Sequence, residues 1–498
     1  MMKDQYTIKP MKGGVYITPQ KQQILRHSIK KIPLPKQLFF PLMSKRGQQR
    51  KPIVEHGSTV LKGQKIAVPL NAQTVPIHAS SSGILLYPNE RHPQNLCIQT
   101  DDKKQTTKFL TLPNPMRATP LELINRIEQA GVSGMGGAGF PTHLKLRKAL
   151  QKQPDTLILN AVECDPYTAC DSALLREKLD SVLNGAILVI HMCSLTRCII
   201  AIEDHQTELQ QQLQQAIVNR PDHLFEIITV PTKYPSGSEQ QLVSLLTGKT
   251  IDSEQTALDA GVICFNIATV ATIDHVITTG EPAMQRIVTI SGPGIRLPGN
   301  YSVAIGTPVR HLLNHCNITD DKIIPIIGGI MMGQPARFMY CSIQKETYSV
   351  WIPENVTPTA IPQPCIHCSE CAYVCPRELQ PQTLFRLTKA QHWNQLEQDN
   401  YLSECIECGA CDLVCPSHIQ LTQTFVQAKQ RIHAIKQSRH KALHAKQRYL
   451  ARQNRLAKHA KLKQQGTRKL KKPENVNNLI NRIKNQVEKN KHNPPLNR

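Results

Sequence analysis

Two cysteine runs, one starting forty residues after the other, decide how this sequence is interpreted. They read Cys365-Ile-His-Cys368-Ser-Glu-Cys371-Ala-Tyr-Val-Cys375-Pro376 and Cys405-Ile-Glu-Cys408-Gly-Ala-Cys411-Asp-Leu-Val-Cys415-Pro416. Both have the spacing C-x2-C-x2-C-x3-C-P, which is typical of two-cluster bacterial ferredoxins. Three cysteines on one tight loop hold three corners of a [4Fe–4S] cubane, and the fourth, followed by proline, ligates the other cluster. The spacing therefore predicts two [4Fe–4S] clusters lying close together.

The crossed arrangement divides the eight cysteines into two sets. The first ligand set is Cys365, Cys368, Cys371 and Cys415, and the second ligand set is Cys375, Cys405, Cys408 and Cys411. Structural zinc is the alternative, but zinc sites use paired C-x2-C units, often with histidine, rather than two complete repeated runs. A disulfide scaffold is excluded because such chains are small, secreted and rich in cysteine throughout. Half of the 16 cysteines here are scattered outside the two runs.

Length and charge indicate several domains and one basic segment. The chain has 498 residues and a net charge of +23, but residues 427–498 hold 21 Lys and Arg against two Glu, a net of +19. The remaining residues carry only +4. The chain starts without an apolar leader and contains no apolar stretch of membrane-spanning length. We therefore expect a cytoplasmic protein that is soluble or lies on a membrane surface.

A glycine-rich loop precedes the cysteine runs. Its glycines are Gly134, Gly136, Gly137 and Gly139, which formally match G-x-G-x-x-G. Apolar spacing predicts a helix over Pro120–Ala130 before the loop and another over about Thr142–Gln151 after it, so this is not a Rossmann strand–turn–helix. Backbone N–H groups and the positive end of the second helix suit a phosphate, with Lys145 within reach. The alternative is a tight turn between helices.

Polar residues follow a predicted strand over Thr156–Asn160. Ligands in α/β folds bind just past the carboxyl ends of such strands. Asn160 lies where it is able to hydrogen-bond a flavin, and Glu163 and Asp165 where they are able to meet sugar hydroxyls. The alternative is a solvated acidic turn.

Four motifs in order resemble a known flavoprotein, the NADH-binding subunit of respiratory complex I. Residues 134–145 closely resemble its FMN loop, and residues 160–166 its Asn-Ala-Asp-Glu-x-Glu-Pro segment. Residues 233–239 resemble its Tyr-x-x-Gly-Glu-Glu stretch, and residues 265–269 its Asn-Asn-Val-x-Thr. The resemblance implies cofactor-binding roles for Gly134, Gly136, Gly137, Gly139, Lys145, Asn160, Glu163, Asp165, Glu239 and Asn266. Val162 and Ser238 depart from it, because the family has acidic residues there.

The order of segments predicts a multidomain α/β and α+β protein. The expected parts are a barrel-sandwich (lipoyl-like) domain at 1–105, a Rossmann-like FMN/NADH-binding domain at 110–282, a soluble-ligand-binding β-grasp module at 283–345, a ferredoxin-type domain at 355–425 and a basic tail at 426–498. Without a lysine-bearing lipoyl turn, the first domain is expected to have a purely structural or docking role. This order resembles the RnfC family of the Rnf (also called Rsx) membrane electron-transport complexes, apart from Ser58, where that family usually has an acidic residue.

The resemblance implies a peripheral subunit on the cytoplasmic face of the bacterial inner membrane. Such a protein takes a hydride from NADH onto FMN and passes electrons through two [4Fe–4S] clusters. Its expected partners are a second iron–sulfur subunit, integral membrane subunits that translocate ions, and the membrane surface. A flavin suits this step because it accepts two electrons and releases them singly. The alternative is a soluble NADH-dependent flavin/iron–sulfur dehydrogenase acting without a membrane complex.

The basic tail is rich in helix-forming residues as far as about Gln465. We expect a charged helix there, followed by a disordered end containing Pro473, Pro494 and Pro495. Its positive charge suits a solvated appendage, anionic lipid headgroups or an acidic partner, and least of all specific nucleic-acid binding.

Overall fold

The computed structural model of the chain describes residues 10–88, 94–218, 220, 223–336, 341–355, 361–398, 401–469 and 474–491. Residues 1–426 form one compact unit and residues 427–498 a second. The extreme N-terminus, on which the expectation about a leader rests, lies outside the described residues. No described helix is both long and apolar enough to cross a membrane.

The N-terminal domain consists of two small antiparallel sheets around one core. Its elements are α1 (Gln22–Leu25), β1 (Lys30–Lys31), β2 (Gln37–Pro41), β3 (Arg50–Pro52), β4 (Thr59–Val60), β5 (Lys65–Pro69), β6 (Ile77–His78), β7 (Gly83–Leu86) and β8 (Asn95–Thr100). The strand orders are β2-β8-β7-β4 and β3-β5-β6. Leu38, Phe40 and Leu96 from one sheet meet Ile66 and Ile77 from the other in a shared core, as in a barrel-sandwich.

The second domain contains a four-stranded parallel sheet flanked by helices. Its elements are α2 (Pro120–Gln129), α3 (Thr142–Lys152), β9 (Thr156–Asn160), α4 (Cys170–Cys193), β10 (Arg197–Glu203), α5 (Thr207–Val218), β11 (Phe225–Val230), α6 (Glu239–Thr247), β12 (Val262–Asn266) and α7 (Ile267–Thr279), with 3-10 turns at Pro115–Arg117 and Ala257–Ala260. The strand order is β11-β10-β9-β12. The chain adds β10 and β11 on one side of β9 and then β12 on the other side, so the direction of strand addition reverses between β9 and β12. Such a reversal opens a crevice at the carboxyl ends of the two strands, where α/β folds bind ligands.

Local sequence explains the helices beside the glycine loop. Thr119 caps α2 by accepting a hydrogen bond from the Glu122 N–H at 3.3 Å, and Pro120 takes the first helical position. Leu123, Ile124 and Ile127 share the buried face. The predicted helices and the strand at Thr156–Asn160 are confirmed to within a residue.

Helices α4 and α7 of the second domain pack closely against each other. A Cβ atom at Gly185 of α4 would lie 2.1 Å from the Val270 carbonyl oxygen of α7, so only glycine permits this separation. The helix pair shares one large apolar core with α2 and the sheet.

A mixed sheet of order β1-β14-β13-β17-β15-β16 forms the third domain. Its elements are β13 (Gln285–Ser291), β14 (Gly299–Ala304), α8 (Val309–His315), β15 (Ile326–Ile327), β16 (Gln334–Pro335) and β17 (Ser349–Trp351). The sheet takes β1 from the N-terminal part of the chain and β17 from beyond residue 345. Both additions result from pairing between strands that are distant in sequence. Local sequence patterns do not predict such pairing.

The C-terminal part is helical. Its elements are α9 (Glu370–Tyr373), α10 (Pro381–Lys389), α11 (Trp393–Gln398), α12 (Ala410–Leu413), α13 (Leu421–Lys469) and α14 (Glu474–Lys491). The expectation of a disordered end is wrong for residues 474–491, which form α14. Its apolar residues recur at helical spacing, at Val476, Leu479, Ile480, Ile483 and Val487, which favours a helix. The three prolines of the expected disordered end lie outside the described residues.

Candidate functional site

The two cysteine runs fold alike. Each is a loop followed by one helical turn, α9 or α12. Left-handed backbone recurs at the same positions of both, at His367 and Ser369 in the first run and at Glu407 and Gly409 in the second. This repeated geometry curls three cysteines of each run around one point.

The first three cysteines of each run, together with the last cysteine of the other run, line a small apolar cavity. One cavity is lined by all four members of the second ligand set, Cys375, Cys405, Cys408 and Cys411. The other is lined by all four members of the first ligand set, Cys365, Cys368, Cys371 and Cys415. Two separate groups of four thiols around apolar cavities are a donor set that fits iron–sulfur cubanes.

The second ligand set is the one packed against the flavin-type domain. The Tyr234 hydroxyl donates to the Cys408 carbonyl oxygen at 2.5 Å, and the Gln241 side-chain amide donates to the Pro376 carbonyl oxygen at 3.2 Å. Both contacts are buried. The sequence motif that contains Tyr234 thus touches the loop that carries Cys408.

The first ligand set reaches the surface at one of its four cysteines. Cys368 is exposed, and its neighbours Ile366 and Tyr373 keep 67% and 77% of their surface accessible. The two sets therefore differ in surroundings: the loop of the second set contacts the flavin-type domain at Cys408 and Pro376, and the first set reaches solvent at Cys368.

The glycine loop offers backbone donors. Within the described residues, the N–H groups of Gly136, Gly137, Ala138 and Gly139 make no hydrogen bond. The loop is anchored at its start by Met135, whose N–H donates to the Thr269 hydroxyl at 2.9 Å. Successive free N–H groups on a glycine loop form a concave site for an anion such as a phosphate. The loop therefore fits the phosphate-bearing end of FMN.

Two asparagines mark the crevice between β9 and β12. Asn160 and Asn266 are register partners at the carboxyl ends of these strands. The Asn160 amide donates to the Gly237 carbonyl oxygen at 2.8 Å. Asn266 caps α7 by accepting from the Ala268 N–H at 3.0 Å, and a Cβ placed on Gly136 would lie 3.3 Å from the Asn266 Cβ. The glycine loop and the strand ends therefore border one crevice.

The two acidic residues after β9 serve the chain itself. Glu163 is buried and caps α4, accepting from the N–H groups of Asp171 at 3.0 Å and Ser172 at 3.2 Å. Asp165 accepts from the Tyr167 N–H at 3.1 Å and the Thr168 hydroxyl at 3.0 Å. Burial raises the pKa of Asp165 despite these bonds. In this structure, neither carboxylate is directed into open space where a sugar would bind.

Lys145 forms an ion pair with Glu239. Its ammonium lies 3.0 Å from the Glu239 carboxylate and donates to the Cys264 carbonyl oxygen at 2.5 Å. Burial lowers the pKa of Lys145, but the charge and hydrogen bond of Glu239 and the neighbouring Cys264 together more than offset this, and the pKa is raised. The pair links α3 to α6 beside the crevice, and Lys145 stays charged.

The residues at the two positions that depart from the flavoprotein motif have structural roles. Ser238 is the N-cap of α6 and accepts from the Gln241 N–H at 3.4 Å. Val162 belongs to the apolar core on one face of the sheet.

Three residues of the crevice were missed by sequence reasoning. Arg286 of β13 is buried and donates to the Met135 carbonyl oxygen at 2.8 Å. Lys21 contacts the Glu163 carbonyl oxygen and pairs with Glu203 at 3.4 Å. Burial, and then the nearby Glu163, raises the pKa of Asp171 to about 7. Arg286 and Lys21 come from distant parts of the chain, and only Asp171, which closely follows the strand-end motif, gave any local signal.

Comparison with known proteins agrees with this geometry. A Nuo51 FMN-binding domain family matches residues 127–275, and a 4Fe-4S dicluster domain family matches residues 364–419. An RnfC barrel sandwich hybrid domain family matches residues 9–101. The predicted fold class, with barrel-sandwich, FMN-binding and ferredoxin-type domains, is confirmed.

Curated relatives extend the match beyond these domains. The C subunit of the ion-translocating oxidoreductase complex of Pasteurella multocida (strain Pm70) is 35% identical over 449 residues, covering 88% of this chain and 53% of that protein. Its counterpart in Edwardsiella ictaluri (strain 93-146) is 36% identical, covering 91% of this chain and 58% of its own length. The chain is a homologue of RnfC. It spans little more than half the length of these two RnfC relatives.

A structural relative is more distant. An NAD+-reducing [NiFe]-hydrogenase in the H2-reduced state aligns at 17% identity with a TM-score of 0.46, covering 64% of this RnfC homologue and 62% of that chain. At this level the likeness supports no statement about activity.

Proposed function

We propose that this RnfC homologue oxidises NADH at its glycine-loop crevice and delivers the electrons through its two cysteine sets to partner subunits of an ion-translocating membrane complex. FMN accepts a hydride's two electrons and an iron–sulfur cluster accepts one at a time, so together they convert pair transfer into single-electron transfer. Beyond the domain matches, we thus propose NADH as the substrate, electron flow from the flavin to the clusters, and partner subunits as the acceptors.

One contact carries this proposal. The hydrogen bond from Tyr234 to the Cys408 carbonyl oxygen joins a flavin-type segment to the second ligand set. Met331 lies in the same small apolar cluster as Tyr234 and Cys408. On this proposal the second ligand set receives electrons from the crevice and the first ligand set, with exposed Cys368, delivers them outward.

The proposed roles of the crevice residues follow from their contacts. The N–H groups of residues 136–139 would hold the flavin phosphate, and Asn160 and Asn266 would border the flavin itself. Lys145 and Glu239 would border the phosphate end of the crevice as an ion pair without net charge. Glu163 and Asp165 would act mainly by shaping the crevice, because their carboxylates already accept hydrogen bonds from the chain.

The test is anaerobic purification, followed by measurement of iron, flavin and absorbance before and after NADH. We expect about eight irons and one FMN per chain, with flavin and iron–sulfur absorbance bleaching on NADH. Eight irons without flavin and without bleaching would contradict NADH oxidation and mean that electrons enter from another protein.

Membrane association is tested separately. As a peripheral subunit on the cytoplasmic face of the inner membrane, the protein should sediment with membranes together with an iron–sulfur subunit and integral subunits, and be released by salt or mild detergent. A wholly soluble pool with full NADH bleaching would favour the soluble dehydrogenase instead.

A further inference from the structure

A second cleft adjoins the glycine loop on the side of the N-terminal domain. It encloses about 470 Å³ between the segment joining β2 and β3, strand β6, the glycine loop and residues 341–347. Ser133 and Gly139 of the loop line it. A volume of this size lies in the range of small-molecule sites.

Basic side chains dominate the polar lining of this cleft. Lys45, Arg46, Arg50 and Lys345 line it, with Glu346 as its acidic residue. They come from two distant parts of the sequence, residues 45–50 and 345, so the fold creates the concentration of charge.

These cations bind neutral groups. Lys45 donates to the Gly137 carbonyl oxygen at 3.0 Å, and Arg50 donates to the Val75 carbonyl oxygen at 2.9 Å. Lys345 donates to the Gly131 carbonyl oxygen at 2.6 Å. The Arg46 guanidinium lies 5.0 Å from the centre of the Phe140 ring.

Across the described part of the chain, none of these four cations forms an ion pair. Burial, and then the charge of Arg50, lowers the pKa of Lys345 to about 7. The one carboxylate among the described residues of the lining, Glu346, offsets only part of this positive charge. Cations crowded in this way gain free energy when an anion enters, because the anion relieves their mutual repulsion.

We propose that this cleft binds the diphosphate of a nucleotide, with Arg46, Arg50 and Lys345 contacting its phosphates. Guanidinium groups suit phosphate oxygens because their planar N–H groups donate in pairs. The free N–H groups of the glycine loop begin at the edge of the same cleft. A dinucleotide is therefore able to reach from this cleft to the flavin crevice, and in that respect the assignment rests on the proposed NADH oxidation.

The test is calorimetric binding of ADP to the purified holoprotein, with the Michaelis constant for NADH as a second readout. Arg46→Gln is the main variant, because Arg46 is exposed and we expect its replacement to leave the fold intact. Arg50→Gln is the second. Loss of a charge-assisted contact should weaken ADP binding about ten-fold or more and raise the KM for NADH without a matching fall in kcat.

Lys51→Gln is the matched control, because Lys51 neighbours Arg50 on β3 and is exposed on the other face of the strand. It should leave ADP affinity unchanged. Thermal melting of each variant separates lost binding from lost folding.

Each outcome has a distinct meaning. Unchanged ADP affinity in Arg46→Gln and Arg50→Gln would overturn the cleft assignment even if NADH still bleaches the protein. Pyrophosphate binding as tightly as ADP would overturn the nucleotide assignment. Arginine-dependent ADP binding without NADH bleaching would support the cleft and defeat the proposed NADH oxidation.

Discussion

The sequence predicts a site both at the cysteine runs and at the strand-end segment of residues 160–166, yet the structure uses the two regions differently. Every cysteine of a run lines a cavity with the members of its expected set. In the strand-end segment, Glu163 caps a helix and Asp165 closes a turn. A thiol has few structural uses in a loop, whereas a carboxylate past a strand serves the fold as readily as a ligand. The spacing of cysteines is therefore stronger evidence for a binding role than the position of a carboxylate at the end of a strand.

The largest expected effect is on iron content. Cys405→Ala should lower iron from about eight to about four per chain, because the second ligand set would lose a donor. Metal analysis after anaerobic purification measures this. Cys193→Ala, at a buried cysteine outside both sets, should keep the full iron content. Equal iron in the two variants would contradict the assignment of Cys405 to the second ligand set.

A second test compares two glycines of the loop. At Gly137, φ is +99° and a Cβ would lie 3.0 Å from the Tyr348 ring, whereas a Cβ at Gly134 would meet nothing closer than 3.5 Å. Gly137→Ala should cost about 1–2 kcal/mol in backbone strain and lower the bound FMN.

Gly134→Ala serves as the control and should retain FMN. The measurements are flavin released per chain and the melting temperature. Full retention of FMN by the Gly137 variant would contradict a phosphate site at this loop.

The capping role of Glu163 gives a smaller effect. Glu163→Gln removes the negative charge at the start of α4 and should destabilise the protein by about 1 kcal/mol, measured by thermal or chemical unfolding. Asp180→Asn, at an exposed position of the same helix, should change little. An unchanged stability together with a raised KM for NADH would show that the carboxylate serves the ligand instead.

The smallest effect concerns pH. The pKa of Asp171 is about 7 in the fold against an ordinary value of 3.8, through burial and then Glu163, with Arg286, Asn266 and Cys170 also facing it. The folded state binds the proton more tightly, so this group's contribution to stability falls as pH rises from about 4 to about 7.

Asp171→Asn should therefore stabilise the protein more at pH 8 than at pH 5.5, as measured by melting temperature. Asp180→Asn should give no such difference. A gain that is equal at both pH values would mean that Asp171 is already ionised across this range.

Sequence reasoning reached the parts that local patterns encode. Apolar spacing predicted α2, α3 and β9, and the C-x2-C-x2-C-x3-C-P spacing predicted which cysteines share a cavity. It missed Lys21 and Arg286, because their partners Glu163 and Met135 lie more than a hundred residues away in the chain. The prolines and the charge of the tail predicted disorder, whereas the helical spacing of the apolar residues from Val476 to Val487 favours α14.

On the proposed electron path, the second ligand set lies between the crevice at the glycine loop and the first ligand set. The most direct measurement is NADH reduction of Cys408→Ala, followed by EPR of the cluster held by the first ligand set. Dithionite should reduce that cluster and confirm that it is assembled. We predict that NADH reduces the flavin in this variant but not the remaining cluster on the time scale of the wild-type protein. Reduction by NADH at the wild-type rate would contradict the claim.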